Sequence, residues 1–186
     1  MAMTSGNREG KVVFRLKNKD YTHECSVSQY GYKYGEDQWI TLQKATKGRK
    51  GGINIVLLGD GYNAKDIADG DYLKHIKQEV EHFFGIEPYK TYRDYFNVYT
   101  AVPLSTETGV GTVNTIRYNR FSTTFTGGVG LKADYDEIFS YALGAPTVNK
   151  DNLKETLIII VPNSTDYGGI CQMWPDGSAI AFCPLS

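Results

Sequence analysis

The stretch INIVLLGDG, residues 53–61, decides the fold class of this chain. It is a short apolar run that ends in a Gly-Asp-Gly turn, which is typical of a buried strand. Asn63 stands at a helix-cap position, and Asp66 follows in the place of a capping box. A helix is therefore predicted to follow, weakened at Gly70 and ended by Gly85. Its apolar face carries Ile67, Leu73, Ile76, Val80, Phe83 and Phe84.

The rest of the chain alternates helices and strands in the same way. The predicted elements are a short helix near 89–95, a strand at 96–102, a surface excursion over 105–130 with a strand near 114–121, a helix at 132–143 and a strand at 156–161. A hairpin closes the chain. This order predicts an α/β fold with a mixed, mostly parallel sheet flanked by helices.

The first fifty residues differ from this pattern. Strand candidates at 11–16, 25–30 and 38–42 contain few large apolar side chains, and a glycine-rich linker follows at 47–52. We therefore expect residues 1–50 to be the end of a β-rich domain, and residues 51–186 to form the α/β unit.

Composition excludes several classes of function. The 186 residues carry a formal net charge of -1, which argues against a nucleic-acid binder that relies on a broad basic field. No run reaches the length of about 18 apolar residues that a membrane span needs. The first ten residues contain no apolar core of a signal peptide. Three cysteines leave at least one thiol without a partner in the chain.

Two groups of residues were tested as metal sites. A His-Glu dipeptide at 23–24 is not a zinc-peptidase motif, because Val27 occupies the position of the second histidine. His75, Glu79 and His82 share one helix stripe, where they could hold a metal, but they read more simply as a solvated helix flank. We therefore assign no metal ligand and no catalytic residue.

The Gly-Asp-Gly turn at 59–61 lies between a strand and a helix, where α/β sheets bind ligands. The dinucleotide fingerprint fails because Ala64 replaces its last glycine, and no Gly-Lys-Ser/Thr follows. A tight turn explains the glycines, and a nucleotide-binding domain remains as an alternative.

Several longer segments resemble the IgA peptidase family of zinc metallopeptidases. The segments are 54–62 (NIVLLGDGY), 78–89 (QEVEHFFGIEPY), 95–105 (YFNVYTAVPLS), 109–118 (GVGTVNTIRY) and 157–169 (LIIIVPNSTDYGG). The resemblance runs from about residue 53 to the end. It implies a zincin-like, partial catalytic domain at 51–186 that acts on protein or peptide substrates outside the cell or in the cell envelope.

In that family zinc is held by an H-E-x-x-H helix, which we expect to follow a segment like that at 181–186. None of the three histidines occupies such a motif. The chain is therefore expected to be a truncated piece of a secreted bacterial peptidase that holds no zinc and is inactive alone. The alternative is a non-catalytic surface-binding module on the same scaffold.

The resemblance also implies a substrate-binding edge strand above the cleft, to which a peptide adds by main-chain hydrogen bonds. The terminal hairpin supplies the candidate, whose residues are Ser178, Ala179, Ile180, Ala181 and Phe182. A plain sheet edge is the simpler alternative. Without a following helix, the adjoining sheet face is expected to be apolar and uncovered, and so prone to self-association.

The hairpin register decides whether its two cysteines meet. A two-residue loop at 176–177 places Cys171 opposite Phe182, whereas a three- or five-residue loop places it opposite Cys183. Pro-Asp-Gly at 175–177 can form a type I turn with a left-handed glycine, which favours the longer loop. We therefore predict that Cys171 faces Cys183 and that a disulfide can join them if the protein is exported.

Overall fold

The computed structural model describes residues 8–15, 17, 22–29, 37–48 and 51–185. The strands are β1 (Arg8–Arg15), β2 (Thr22–Gln29), β3 (Ile40–Gln43), β4 (Ile53–Asp60), β5 (Phe96–Thr100), β6 (Thr124–Gly127), β7 (Gly130–Lys132), β8 (Leu157–Pro162), β9 (Ile170–Met173) and β10 (Ala179–Phe182). The helices are α1 (Ala64–Ala68), α2 (Asp71–Phe84) and α3 (Tyr135–Ala142). None of the helices in the described ranges is long and apolar enough to cross a membrane.

A six-stranded sheet forms the centre, in the order β3-β5-β4-β8-β10-β9. The four inner strands are parallel to one another, and both edge strands are antiparallel to their neighbours. The α/β class with a mixed sheet is therefore as predicted. A mostly parallel sheet describes only the inner strands, because β1–β2 and β6–β7 also form antiparallel pairs.

Both faces of the sheet are buried, because alternate side chains along each inner strand pack into cores on opposite sides. In β4, Val56 and Leu58 face a core that α3 closes with Ile138. Ile55 and Leu57 face the opposite core, which α2 closes. The α2 residues in that second core are Tyr72, Ile76, Val80 and Phe84. Because both faces are buried, the strands read as continuous apolar runs rather than as alternating ones.

The chain before residue 51 corrects the predicted domain boundary. Strand β3 pairs with β5, with Ile40 opposite Thr100 and Thr41 opposite Tyr99, so it belongs to the central sheet. A boundary at residue 50 would separate this strand from the sheet that it completes. Strands β1 and β2 form a separate hairpin, whose side chains at 9–15 and 22–27 are exposed. Its assignment to a further β-rich domain stays a prediction.

Three local predictions differ from the structure. The helix after β4 is divided at Gly70, whose φ of +89° is incompatible with a continuous right-handed helix. The short helix near residue 90 is a series of turns that ends in a 3-10 turn at Arg93–Tyr95. The strand expected near 114–121 is a loop, and strands β6 and β7 follow it as a hairpin.

Candidate functional site

The carboxyl ends of the parallel strands lie along one edge of the sheet, where open α/β folds place their ligands. Strand β4 ends there in the fully buried Asp60, whose carboxylate accepts four hydrogen bonds. Three come from the backbone N–H groups of Gly61, Phe121 and Thr123, each at 3.1 Å, and the fourth comes from the hydroxyl of Ser105 at 3.2 Å. Burial raises the pKa of Asp60, and these donors oppose that shift.

Ser105 is the donor in its hydrogen bond with Asp60, as its other two contacts show. Its Oγ accepts the N–H groups of Gly61 and Arg120, both at 3.0 Å. With both lone pairs engaged, the hydroxyl hydrogen is left for Asp60. The carboxylate and the serine therefore attach the loop over residues 103–123 to the end of β4.

Gly61 brings this loop into close contact with the strand end. Its φ is +79°, and a Cβ at this position would lie 2.4 Å from the carbonyl oxygen of Gly109. That contact leaves no room for a side chain. The carbonyl of Gly61 accepts the N–H of Gly109 at 2.8 Å and the side-chain amide of Asn163 at 3.0 Å. The glycine thus joins the loop to the end of β8 as well.

The start of α1 bears on the nucleotide-binding alternative. Asn63 Oδ1 accepts the N–H groups of Lys65 and Asp66, and Asp66 Oδ2 accepts the N–H of Asn63 at 2.9 Å. The predicted capping box is therefore present. Since the N–H of Gly61 is also engaged, the donors that a phosphate would need already bind oxygen atoms of the chain.

The polar side chains of α2, His75, Glu79 and His82, contact neighbouring residues and do not converge on a common point where a metal could bind. His75 Nδ1 lies 3.1 Å from the hydroxyl of the buried Tyr62, whose pKa burial raises. Glu79 lies 3.3 Å from Nδ1 of His82. Across the described ranges, no group of three or more His, Cys, Asp or Glu side chains is arranged to hold a metal ion. The His-Glu pair at 23–24 lies in β2, where Glu24 contacts Lys11.

The terminal hairpin corrects the predicted edge strand. Residues 179–182 form β10, which pairs with β8 on one side and with β9 on the other. The predicted strand, Ser178 to Phe182, is therefore internal, and Ser178, Ile180 and Phe182 are buried. After β8 the chain first forms β9 and then turns back at 175–177 to form β10. Because β10 pairs with β8, the first arm of the hairpin, β9, becomes the edge.

The backbone pattern of β9 follows from its register. Trp174 N donates to the carbonyl of Ser178 at 2.9 Å, which identifies 174 and 178 as a hydrogen-bonded pair. Such pairs alternate along an antiparallel ladder, so Gln172 also bonds to β10. The N–H and C=O groups of Cys171 and Met173 then point outward. On that outer side, Gly169 N already donates to the carbonyl of Val129 at 3.1 Å.

The same register separates the two cysteines. The loop holds three residues, 175–177, and Gly177 has the expected positive φ of +92°. A three-residue loop that pairs Cys171 with Cys183 would span 176–178. The observed loop begins one residue earlier, so Cys171 faces Ala181. Cys183 follows two residues later on the same face, and both thiols are free. Burial raises the pKa of Cys183, which is half-buried.

These elements form a rigid edge that offers main-chain groups, and the described residues carry no complete catalytic set. Sequence reasoning identified the turn at 59–61 but missed the carboxylate–serine contact between Asp60 and Ser105. No local signal could reveal that pair, because 45 residues separate its members. The site is therefore an open strand edge beside a buried polar network.

The fold is a mixed α/β sheet with an open antiparallel edge at β9 and a loop held at the carboxyl end of β4. The model of the family IgA peptidase M64 matches residues 40–179. That range covers most of the chain, so the chain belongs to this peptidase family. The match begins at the first residue of β3, in agreement with the pairing of that strand. No curated protein matches the sequence.

The zinc ion that the resemblance implies was tested against the described residues. Tyr62 contacts His75, and Glu79 contacts His82, so neither histidine belongs to a converging set. Cys171 and Cys183 share a face, but no third ligand type joins them within the described ranges. These residues do not fit a zinc centre.

Proposed function

We propose that this chain is the substrate-binding part of a secreted metallopeptidase that hydrolyses peptide bonds in proteins. The family match supports the reaction class. The outward N–H and C=O groups of Cys171 and Met173 carry the structural argument, because they can pair with one extended segment of a substrate. The substrate strand is thus β9 rather than the segment 178–182.

Strand β9 suits this role in its neighbours as well as in its hydrogen bonds. Its inner side is held by β10, which is itself held by β8, so the edge is backed by the centre of the sheet. The side chains of Cys171, Gln172 and Met173 are exposed. The bond from Gly169 to Val129 limits the open ladder at one end. A substrate would therefore pair with about two residues of β9, Cys171 and Met173, one on each side of Gln172.

Proline substitutions at adjacent positions test the outward ladder. Met173→Pro removes an N–H that points to solvent, which an edge strand tolerates. Gln172→Pro removes an N–H that bonds to β10 and leaves a carbonyl of β10 without its partner. We expect the first variant to bind peptide more weakly and keep its stability. The second should lose about 2 kcal/mol of unfolding free energy.

Binding is measured by fluorescence anisotropy with labelled, reduced and carboxymethylated α-lactalbumin, a permanently unfolded protein. Met173→Pro is expected to weaken its binding by about tenfold, equivalent to one lost main-chain bond. Unchanged binding by a folded Met173→Pro variant would place the substrate elsewhere. Urea denaturation of both variants provides the stability control.

The catalytic zinc of the family would be held outside the residues that the structure describes, and the chain alone would be inactive. Purified chain is incubated with zinc chloride and fluorescein-labelled casein. We expect no release of labelled peptides above the background. Release that a chelator abolishes would contradict this part of the proposal. Export to the extracellular space or cell envelope is tested separately, by fractionation of the producing cells.

A non-catalytic binding module on the same scaffold is the second candidate, and the outward main-chain groups of β9 would serve it equally well. The two candidates differ in one measurement. The protein in its native host either shows chelator-sensitive proteolysis that antibodies to this chain deplete, or binds the unfolded protein without cleaving it. Self-association stays a prediction for analytical ultracentrifugation, although both faces of the central sheet carry buried cores.

A further inference from the structure

A second concave surface lies on the loop that precedes β6. It is a cavity of about 630 Å³ whose wall includes Val113, Ile116, Arg117, Tyr118, Phe125 and Lys132, and we name it the Ile116 pocket. Its volume is within the range of ligand sites in proteins. The buried Phe125 forms part of its wall, and β6, which carries Phe125, lies outside the six-stranded sheet that contains β9.

Three apolar side chains of this loop are exposed to an unusual degree. Val113 is 65% exposed, Ile116 is 82% exposed and Tyr118 is 70% exposed. Isolated exposed apolar residues need no explanation, but three that line one cavity indicate a contact surface. Tyrosine is among the residue types enriched at the centres of protein interfaces.

The loop that presents them is held by hydrogen bonds at several points. Thr112 and Thr115 exchange two backbone hydrogen bonds, at 2.8 and 3.2 Å. The carbonyl of Tyr118 accepts the N–H of Glu107 at 3.2 Å, and its own N–H donates to the carboxylate of that residue at 2.9 Å. The exposed side chains therefore stand on an ordered frame, which lowers the entropy cost of binding.

The charge of the pocket has one sign. Arg117 and Lys132 line it, and neither forms an ion pair within the described part of the chain. The described lining contains no acidic residue. Glu107 contacts the loop through the N–H of Tyr118 but does not line the cavity. Two cations without partners beside apolar anchors select an anionic group next to apolar ones.

We infer that the Ile116 pocket binds a protein segment in which acidic residues flank apolar ones. The apolar side chains of the segment would contact Val113, Ile116 and Tyr118, while its carboxylates would pair with Arg117 and Lys132. Thr112 and Thr124 also line the cavity. Thr112 Oγ1 accepts the N–H of Asn114 at 3.3 Å and can still donate to a peptide carbonyl, whereas Thr124 Oγ1 donates to the carbonyl of Ser122 at 3.2 Å and can still accept. A concave, hydroxyl-lined site suits a peptide better than a membrane surface. The proposal concerns binding alone and does not depend on peptidase activity.

Three acetylated and amidated hexapeptides test the chemistry. Gly-Glu-Leu-Phe-Glu-Gly carries both features, Gly-Lys-Leu-Phe-Lys-Gly reverses the charge, and Gly-Glu-Ser-Ser-Glu-Gly removes the apolar pair. We expect the first to bind about tenfold more tightly than either of the others, with affinity that falls as salt rises. Addition of the first peptide should change the amide chemical shifts of the protein chiefly at residues 112–118.

Surface variants locate the site. Ile116→Ser and Arg117→Glu should each weaken binding of the first peptide by about fivefold or more, and Arg117→Glu should also remove most of the salt dependence. Ile86→Ser is the matched control, since Ile86 is 62% exposed and lies at the end of α2. It should bind as the parent does.

Several outcomes would overturn the proposal. Equal binding of the three peptides, unchanged binding by both folded variants, or shift changes confined to β9 would each do so. Binding to phosphatidylserine vesicles in the absence of peptide binding would assign the surface to a lipid instead. Loss of binding by Met173→Pro, with Ile116→Ser unaffected, would support the edge-strand proposal and reject this one.

Discussion

The carboxylate of Asp60 accepts the N–H of Thr123 at 3.1 Å, across 63 residues of sequence. Through this bond and its partners at Phe121 and Ser105, the last residue of β4 holds the loop that contains the Ile116 pocket. A buried carboxylate with four donors is costly to disturb, because each N–H that loses its acceptor stays buried. The stability of the fold and the shape of the pocket are therefore linked.

Asp60→Asn should destabilise the protein. The substitution puts an NH₂ group where an oxygen accepts an N–H, so donors face each other in a buried site. We expect a loss of about 2–3 kcal/mol in urea unfolding, with faster amide exchange at Phe121 and Thr123. Asp134→Asn is the control, because Asp134 caps α3 and asparagine caps equally well. Equal stability of the two variants would argue against the Asp60 network.

Gly61→Ala should cost more than Gly70→Ala. Both glycines have a positive φ, of +79° and +89°, so both variants bear the strain of a left-handed alanine, about 1–2 kcal/mol. Only at Gly61 does the new Cβ collide with the carbonyl of Gly109, whereas nothing lies within 4 Å at Gly70. The difference in unfolding free energy between the two variants measures that contact. A difference near zero would mean that the loop moves freely.

The pair Glu81–Arg93 should make stability depend on pH. Two bonds of 2.7 and 2.8 Å to Arg93 lower the pKa of Glu81 below its ordinary value of 4.5. Its contribution is therefore present above pH 4.5 and is lost as the pH falls through the lower pKa of the folded state. Since the pair is exposed, the effect should stay under about 1 kcal/mol. Glu81→Gln should abolish this part of the pH dependence and leave the rest unchanged.

Cys171 and Cys183 should react with thiol reagents at different rates. Cys171 is exposed, whereas Cys183 is half-buried and has a raised pKa, so less of it is thiolate near neutral pH. Timed alkylation with iodoacetamide and peptide mass mapping should modify Cys171 first and Cys183 later, with the gap narrowing as the pH rises. Both should be modified without a reductant. A non-reduced peptide that joins the two would contradict the register with Cys171 opposite Ala181.

Local patterns predicted the elements whose evidence lies within a few residues. The capping box of Asn63 and Asp66, the buried strand that begins at residue 53 and the strand predicted at 156–161 are present in the structure, the last as Leu157–Pro162. These features depend on side-chain periodicity and on bonds between near neighbours. The helix break at Gly70 was only partly anticipated, since a glycine can weaken a helix or divide it.

The resemblance to the IgA peptidase family was confirmed by the family match, whereas the predicted domain boundary placed β3 outside its sheet. Short strands such as β3 carry little periodicity. Their place in a sheet depends on a partner, here β5, that lies more than fifty residues away.

The sequence by itself determined the α/β class, the capped start of α1 and the two apolar strands, because those properties come from local composition and periodicity. The family followed from the resemblance of longer segments, which the family match supports. Only the tertiary structure decided that β9, rather than β10, is the open edge, that Cys171 faces Ala181, and that Asp60 holds the loop at 105–123. A shift of the turn by one residue changes which side chains face each other. Bonds between distant residues form only once the chain is packed.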